Sequence, residues 1–122
     1  MNTEKNIKTL IVKKPLKLDC GKTIKDFPIA YETYGSLNSK KDNAILVFHA
    51  LTGDQFVTGI NPVTNKEGWW SYAVRPDKAI DTNKYFVICS NVIGGCMGSY
   101  DSHKILIKNF GQIFPLLQLM IW

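Results

Sequence analysis

Two histidines, three cysteines and one glycine-rich run are the residues here whose types could do chemistry. His49 closes an apolar run and opens His49-Ala50-Leu51-Thr52-Gly53-Asp54, at the end of a strand where open α/β sheets carry their ligand loops. In that position a backbone N–H, that of Leu51, can stabilise a developing oxyanion beside a small residue and a glycine. The structural alternative is a buried leucine that ends a strand and a strand-end histidine hydrogen-bonded to a neighbouring loop. Cys89, Cys96 and His103 are evenly spaced, yet they lack the short Cys-x-x-Cys pairs of a structural zinc site. No metal is therefore expected. Gly94-Gly95-Cys96-Met97-Gly98 follows a strand without the Gly-Lys-Ser/Thr of a phosphate loop or the Gly-x-Gly-x-x-Gly of a dinucleotide fingerprint. Its glycines suit backbone freedom in a loop. Cys96 has no histidine or helix signal near it to make it a nucleophile.

These residues need a sheet to hold them. Residues 44–48, Ala-Ile-Leu-Val-Phe, read as a strand buried on both faces and central in its sheet, and residues 84–90, Lys-Tyr-Phe-Val-Ile-Cys-Ser, have the same character. The spacing fits a parallel pair joined by a right-handed crossover, with a helix opened by Gly68 to Ala73 and its aromatic pair Trp69-Trp70. Residues 27–34, with Ile29, Tyr31 and Thr33 on one face, predict an amphipathic strand, antiparallel, ended by Gly35. Residues 7–18 and the turn chemistry of Asp19-Cys20-Gly21-Lys22 predict a first hairpin. Beyond Gly98, residues 105–107 resemble a strand, and 114–122 are apolar.

Composition narrows the function classes. A chain of 122 residues, 45% hydrophobic and 20% charged, holds at most one domain and no disordered or collagen-like class fits. Nine of its fifteen Lys and Arg lie within the first 41 residues, but Arg75 is the one arginine, which reads as a solvated lysine-rich surface rather than a nucleic-acid groove. No apolar run approaches the roughly 18 residues that cross a bilayer, and the first 14 residues lack a secretory pattern. A cytoplasmic protein with Cys20, Cys89 and Cys96 reduced is expected, with no nucleic acid or membrane as partner.

Several ordered segments together resemble the homoserine O-acetyltransferases. They are Tyr31-Glu32-Thr33-Tyr34-Gly35-x-Leu37-Asn38, Asn43-Ala44-Ile45-Leu46-Val47, His49-Ala50-Leu51-Thr52-Gly53-Asp54, Gly68-Trp69-Trp70, Ala79-Ile80-Asp81-Thr82, and residues 85–99 from Tyr85 through Gly98-Ser99. The resemblance spans about residues 16–99. It implies the amino-terminal part of an α/β-hydrolase fold, with an antiparallel hairpin leading into a mostly parallel sheet. It also implies acetyl transfer through a serine acyl-enzyme from acetyl-CoA to the hydroxyl of L-homoserine, in a homodimer with no bound cofactor. By the family pattern the Leu51 N–H is one donor of the oxyanion hole. The serine elbow, acid and base belong later in the hydrolase order, and this sequence contains no Gly-x-Ser-x-Gly.

Two loops depart from the family. Arg75-Pro76-Asp77 replaces its usual Gly-Pro-Gly, and Gly98-Ser99-Tyr100-Asp101-Ser102 replaces Gly-Ser-Thr-Gly-Pro. A residue other than glycine at a positive-φ site there costs about 1 kcal/mol. Near the end, Phe114-Pro115 keeps the family's Phe-Pro, and the codons of 118–122, read one nucleotide earlier, permit the family's Thr, Ile, Asp, Met and Val. The expectation is a fragment, 1–122, of one hydrolase domain, divergent or frameshifted from about residue 100 and inactive alone. A non-catalytic binding module, or a fragment of a related succinyl- or serine acyltransferase, is the alternative.

Overall fold

A computed structural model of the chain describes residues 7–100. The expected strand at 105–107, His103 and the frameshift reading lie outside the described residues. Two compact units divide these residues: one takes in 7–8 and 31–90, the other 9–30 and 91–100.

In the first unit, three strands lie side by side. The end of β4 (Phe27–Tyr34) pairs antiparallel with β8 (Phe86–Ser90), Tyr31 facing Ser90 and Tyr34 facing Val87. On its other side β8 pairs parallel with β5 (Ala44–Val47), Ala44 facing Phe86 and Val47 facing Cys89. The expected antiparallel strand and parallel pair are both present. Gly35 makes the turn out of β4 possible: its φ is +74°, and a Cβ there would stand 2.2 Å from the Tyr85 carbonyl oxygen.

Between β5 and β8 the chain forms turns and two short strands, β6 (Val74–Arg75) and β7 (Ile80–Asp81), paired parallel. The crossover helix expected to open over 68–73 is not there, and no described residue is helical. Trp69 and Trp70 stack on each other at 5.7 Å. The Trp70 N–H is taken by the Val57 carbonyl and the Trp69 indole by the Asp54 carbonyl, which fixes the segment against the loop behind it. What this leaves is turn pairing: one i to i+4 bond, Val74 N–H to the Trp70 carbonyl, beside two i to i+3 bonds, Ser71 N–H to the Gly68 carbonyl and Ala73 N–H to the Trp70 carbonyl.

The crossover covers one sheet face. Val47, Val57, Val74, Val87 and Cys89 form the core, with Tyr34, Ile45, Trp70 and Ile80 against it. Burial at this density stabilises each fully buried aliphatic side chain by about 1.5–3 kcal/mol. On the opposite side Leu46 is 54% exposed and Phe48 76%. This corrects the expectation of a central strand buried on both faces. An apolar run is buried on both sides only where two layers and two neighbouring strands exist, and among the described residues β5 has β8 on one side and one layer beneath it.

In the second unit, which holds β1 (Lys8–Val12) from Thr9 onward, β1 lies beside β4, and β2 (Leu16–Lys17) pairs antiparallel with β3 (Thr23–Ile24). The expected hairpin is thus formed by β2 and β3 around Gly21, while β1 joins a different sheet; Pro15 stands between the two strands. Leu18, Phe27 and Ala30 are buried. The Ser99 hydroxyl accepts from the Ala30 N–H and donates to the Asn91 carbonyl, tying the glycine run to β4.

Asp77 occupies φ +59°, the left-handed region at the position where the resembling family reads glycine. Its N–H donates to Asp81 Oδ1, as does that of Asn83, and Lys84 Nζ lies 3.2 Å from Asp81 Oδ2. The N–H donors, that of Asn83 foremost, hold the Asp81 carboxyl below its ordinary value of 3.8.

Three outcomes are expected. Asp77→Gly raises stability by about 1 kcal/mol, read from denaturant midpoints. Asp81 contributes stability that is present above its ordinary value and lost as pH falls through its lowered folded value, so acid thermal melts lose a component below pH 3.8 that Asp81→Asn lacks. At the sheet edge, the Asn43 carbonyl accepts from Phe86 N–H, so the two-residue period turns the backbone groups of Ala44 and Leu46 outward. Leu46→Lys keeps the fold and lowers self-association, measured by light scattering against concentration.

Candidate functional site

The turn after β5 is built by short-range bonds. The Gly53 N–H donates to the Ala50 carbonyl at 2.8 Å, and His49 Nδ1 lies 2.7 Å from the same oxygen. Both lone pairs of that carbonyl are engaged. Leu51, next along, is 65% exposed, and among the described residues no group accepts from its backbone N–H. The reading of Leu51 as a buried strand-end leucine is therefore wrong, since Leu51 is exposed. His49 Nδ1 thus engages its own turn, at the adjacent Ala50 carbonyl.

Behind the turn, Asp54 is the anchor. Its Oδ1 accepts from the Phe56 N–H at 2.8 Å, its Oδ2 from Asn61 Nδ2 at 3.0 Å, and its carbonyl from the Trp69 indole at 2.9 Å. Asn61 Oδ1 in turn accepts from the Val63 and Thr64 N–H groups. Sequence reading quoted Asp54 within its motif without assigning it work. The available signal was an Asp two residues before a backbone N–H, which is Asx-turn chemistry.

Cys89 lies buried in β8, as expected, and burial together with the charge of Asp54 pushes its thiol up to about 11. It is a protonated core residue at neutral pH, not a nucleophile. Tyr34 is pushed up to about 12 by burial and so stays a neutral phenol; its hydroxyl donates to the Gln55 carbonyl. Cys20 and Cys96 are exposed free thiols. No group of three His, Cys, Asp or Glu side chains suited to a metal occurs among the described residues. Gly94 and Gly98 have φ of +85° and +98°, the conformational role expected of the glycine run. Among the described residues no helix is long and apolar enough to cross a membrane.

No family model matches the chain. A homoserine O-acetyltransferase of Pelagibacter ubique is 68% identical over 120 residues, covering 96% of this chain and 32% of that protein. That match reaches beyond the 16–99 span on which the motifs rest. The crystal structure of a homoserine O-acetyltransferase from Bacillus anthracis matches with a TM-score of 0.62 and 37% identity over 70% of this chain and 23% of that one. An esterase, E22, matches with a TM-score of 0.66 and 26% identity over 76% of this chain and 27% of that one. The chain thus spans about a third of the curated relative that it matches. Over that stretch it belongs to the homoserine O-acetyltransferase family and carries part of the α/β-hydrolase fold.

Proposed function

We propose that this chain forms the oxyanion side of an acyl-transfer site, and that with the rest of the family sequence it moves acetyl from acetyl-CoA to the L-homoserine hydroxyl. The observation that carries the reading is the Leu51 N–H, which stands without an acceptor among the described residues at the carboxyl end of β5. A tetrahedral oxyanion formed as acetyl leaves CoA, or as homoserine collects it, needs such a donor, fixed before the charge develops.

The reaction needs a serine nucleophile, and no serine of this sequence sits in a Gly-x-Ser-x-Gly turn. Cys89 cannot substitute, with its thiol raised to about 11. Alone, the chain therefore offers electrostatic stabilisation with no covalent step to stabilise. An esterase and an acetyltransferase share this part of the fold, so the fold does not choose between water and homoserine as acceptor. Identity of 68% to the acetyltransferase supports homoserine. Acetyl-CoA serves as co-substrate, no cofactor is bound, and the complete protein works as a cytoplasmic homodimer.

The test joins this chain to the part of the Pelagibacter ubique enzyme that it does not span. CoA release from acetyl-CoA that depends on L-homoserine is expected from the joined protein and not from the 122-residue chain alone. Leu51→Pro, which removes the N–H, is expected to lower kcat by about 10²–10³ with KM nearly constant. A folded joined protein that releases no CoA with homoserine overturns the reading.

A further inference from the structure

The Ala50–Leu51 peptide group presents its two ends to different tasks. Its carbonyl oxygen accepts from the Gly53 N–H at 2.8 Å and sits 2.7 Å from His49 Nδ1. A carbonyl has no proton to give, so Nδ1 carries the hydrogen and His49 is the donor. No peptide bond among the described residues is cis, and in a trans peptide the C=O and N–H point in opposite directions within one plane. Pinning the Ala50 oxygen into the turn therefore aims the Leu51 N–H away from it.

We propose that His49 is a positioning residue, whose Nδ1–H clamps the Ala50 carbonyl and so fixes the direction in which the Leu51 N–H is offered to an oxyanion. The inference rests on the acyl-transfer reading for its purpose but on the hydrogen bond alone for its geometry. It gives His49 no proton-transfer role: the imidazole touches the carbonyl side of the peptide, and the reacting oxygen would meet the N–H side.

Gly53 supports the same arrangement by a second route. A Cβ at Gly53 would stand 2.9 Å from the His49 Cβ, 3.2 Å from the Ala50 oxygen and 3.3 Å from His49 Nδ1. Those are the atoms of the clamp itself. A methyl there has to displace the imidazole, the carbonyl or both, so the glycine keeps the space that the clamp occupies.

Two measurements decide the matter. In the labelled 122-residue chain, nitrogen NMR is expected to show His49 with its proton on Nδ1, and the Ala50 carbonyl carbon is expected to shift upfield in His49→Phe but not in His49→Asn, whose amide can still donate. In the joined protein, His49→Phe and Gly53→Ala each lower kcat by about tenfold or more with KM within about twofold, and His49→Asn restores most of the loss. Because Gly53→Ala leaves the imidazole in the chain, it reports on the clamp even if His49→Phe fails to fold. A wild-type His49 with Nδ1 unprotonated, or full kcat in His49→Phe while Leu51→Pro is impaired, overturns the proposal. Loss of homoserine-dependent activity in the wild-type joined protein overturns the acyl-transfer reading instead, and the NMR result still decides the clamp.

Discussion

The parallel pairing of β5 with β8 is the constraint on which the first unit depends. Two parallel neighbours cannot be joined by a tight turn, so the chain must travel from the end of one to the start of the other. That return path, through Trp69, Trp70, β6 and β7, is what covers Ile45, Val47, Val87 and Cys89. The same pairing leaves residues 49–54 at the carboxyl end of β5, where a loop can turn its backbone toward a ligand. Packing and site are thus consequences of one register, Ala44 against Phe86 through Val47 against Cys89.

Much of this was legible in the sequence because strand signals are local. The apolar runs at β5 and β8, the aromatic alternation of β4 and the stop at Gly35 each state their own conformation. Orientation was legible too, since a long connection implies a parallel pair. The exposure of Leu46 and Phe48 was not, because apolar residues report what a strand would bury in a full sheet, not what is present to bury it. The Gly68-Trp69-Trp70 segment misled for another reason. Its conformation is decided by acceptors far away in sequence, the carbonyls of Asp54 and Val57, which no local pattern announces.

The site shows the same division. Leu51 was reached through a resemblance and through its place after a strand, and neither route could say which way its N–H points. That direction is set by the bonds of the neighbouring carbonyl, to Gly53 and His49. The brace formed by Asp54, Asn61 and Trp69 likewise joins residues up to 15 apart, visible once the loop is closed. A resemblance names the atom that acts; the structure explains why it is held.

The uncovered face of β5 also bears on the thermodynamics of unfolding. Heat capacity rises on unfolding in proportion to the apolar surface newly brought into water. Leu46 and Phe48 meet water already in the folded state, so melting this sheet hydrates less additional hydrocarbon than melting one covered on both faces. The described residues should therefore unfold with a heat-capacity increment per residue below the usual 12–15 cal/mol/K, about the average for complete domains, and with a correspondingly shallow dependence on denaturant. A smaller increment flattens the curvature of stability against temperature, so the expected stability curve is broad rather than narrow.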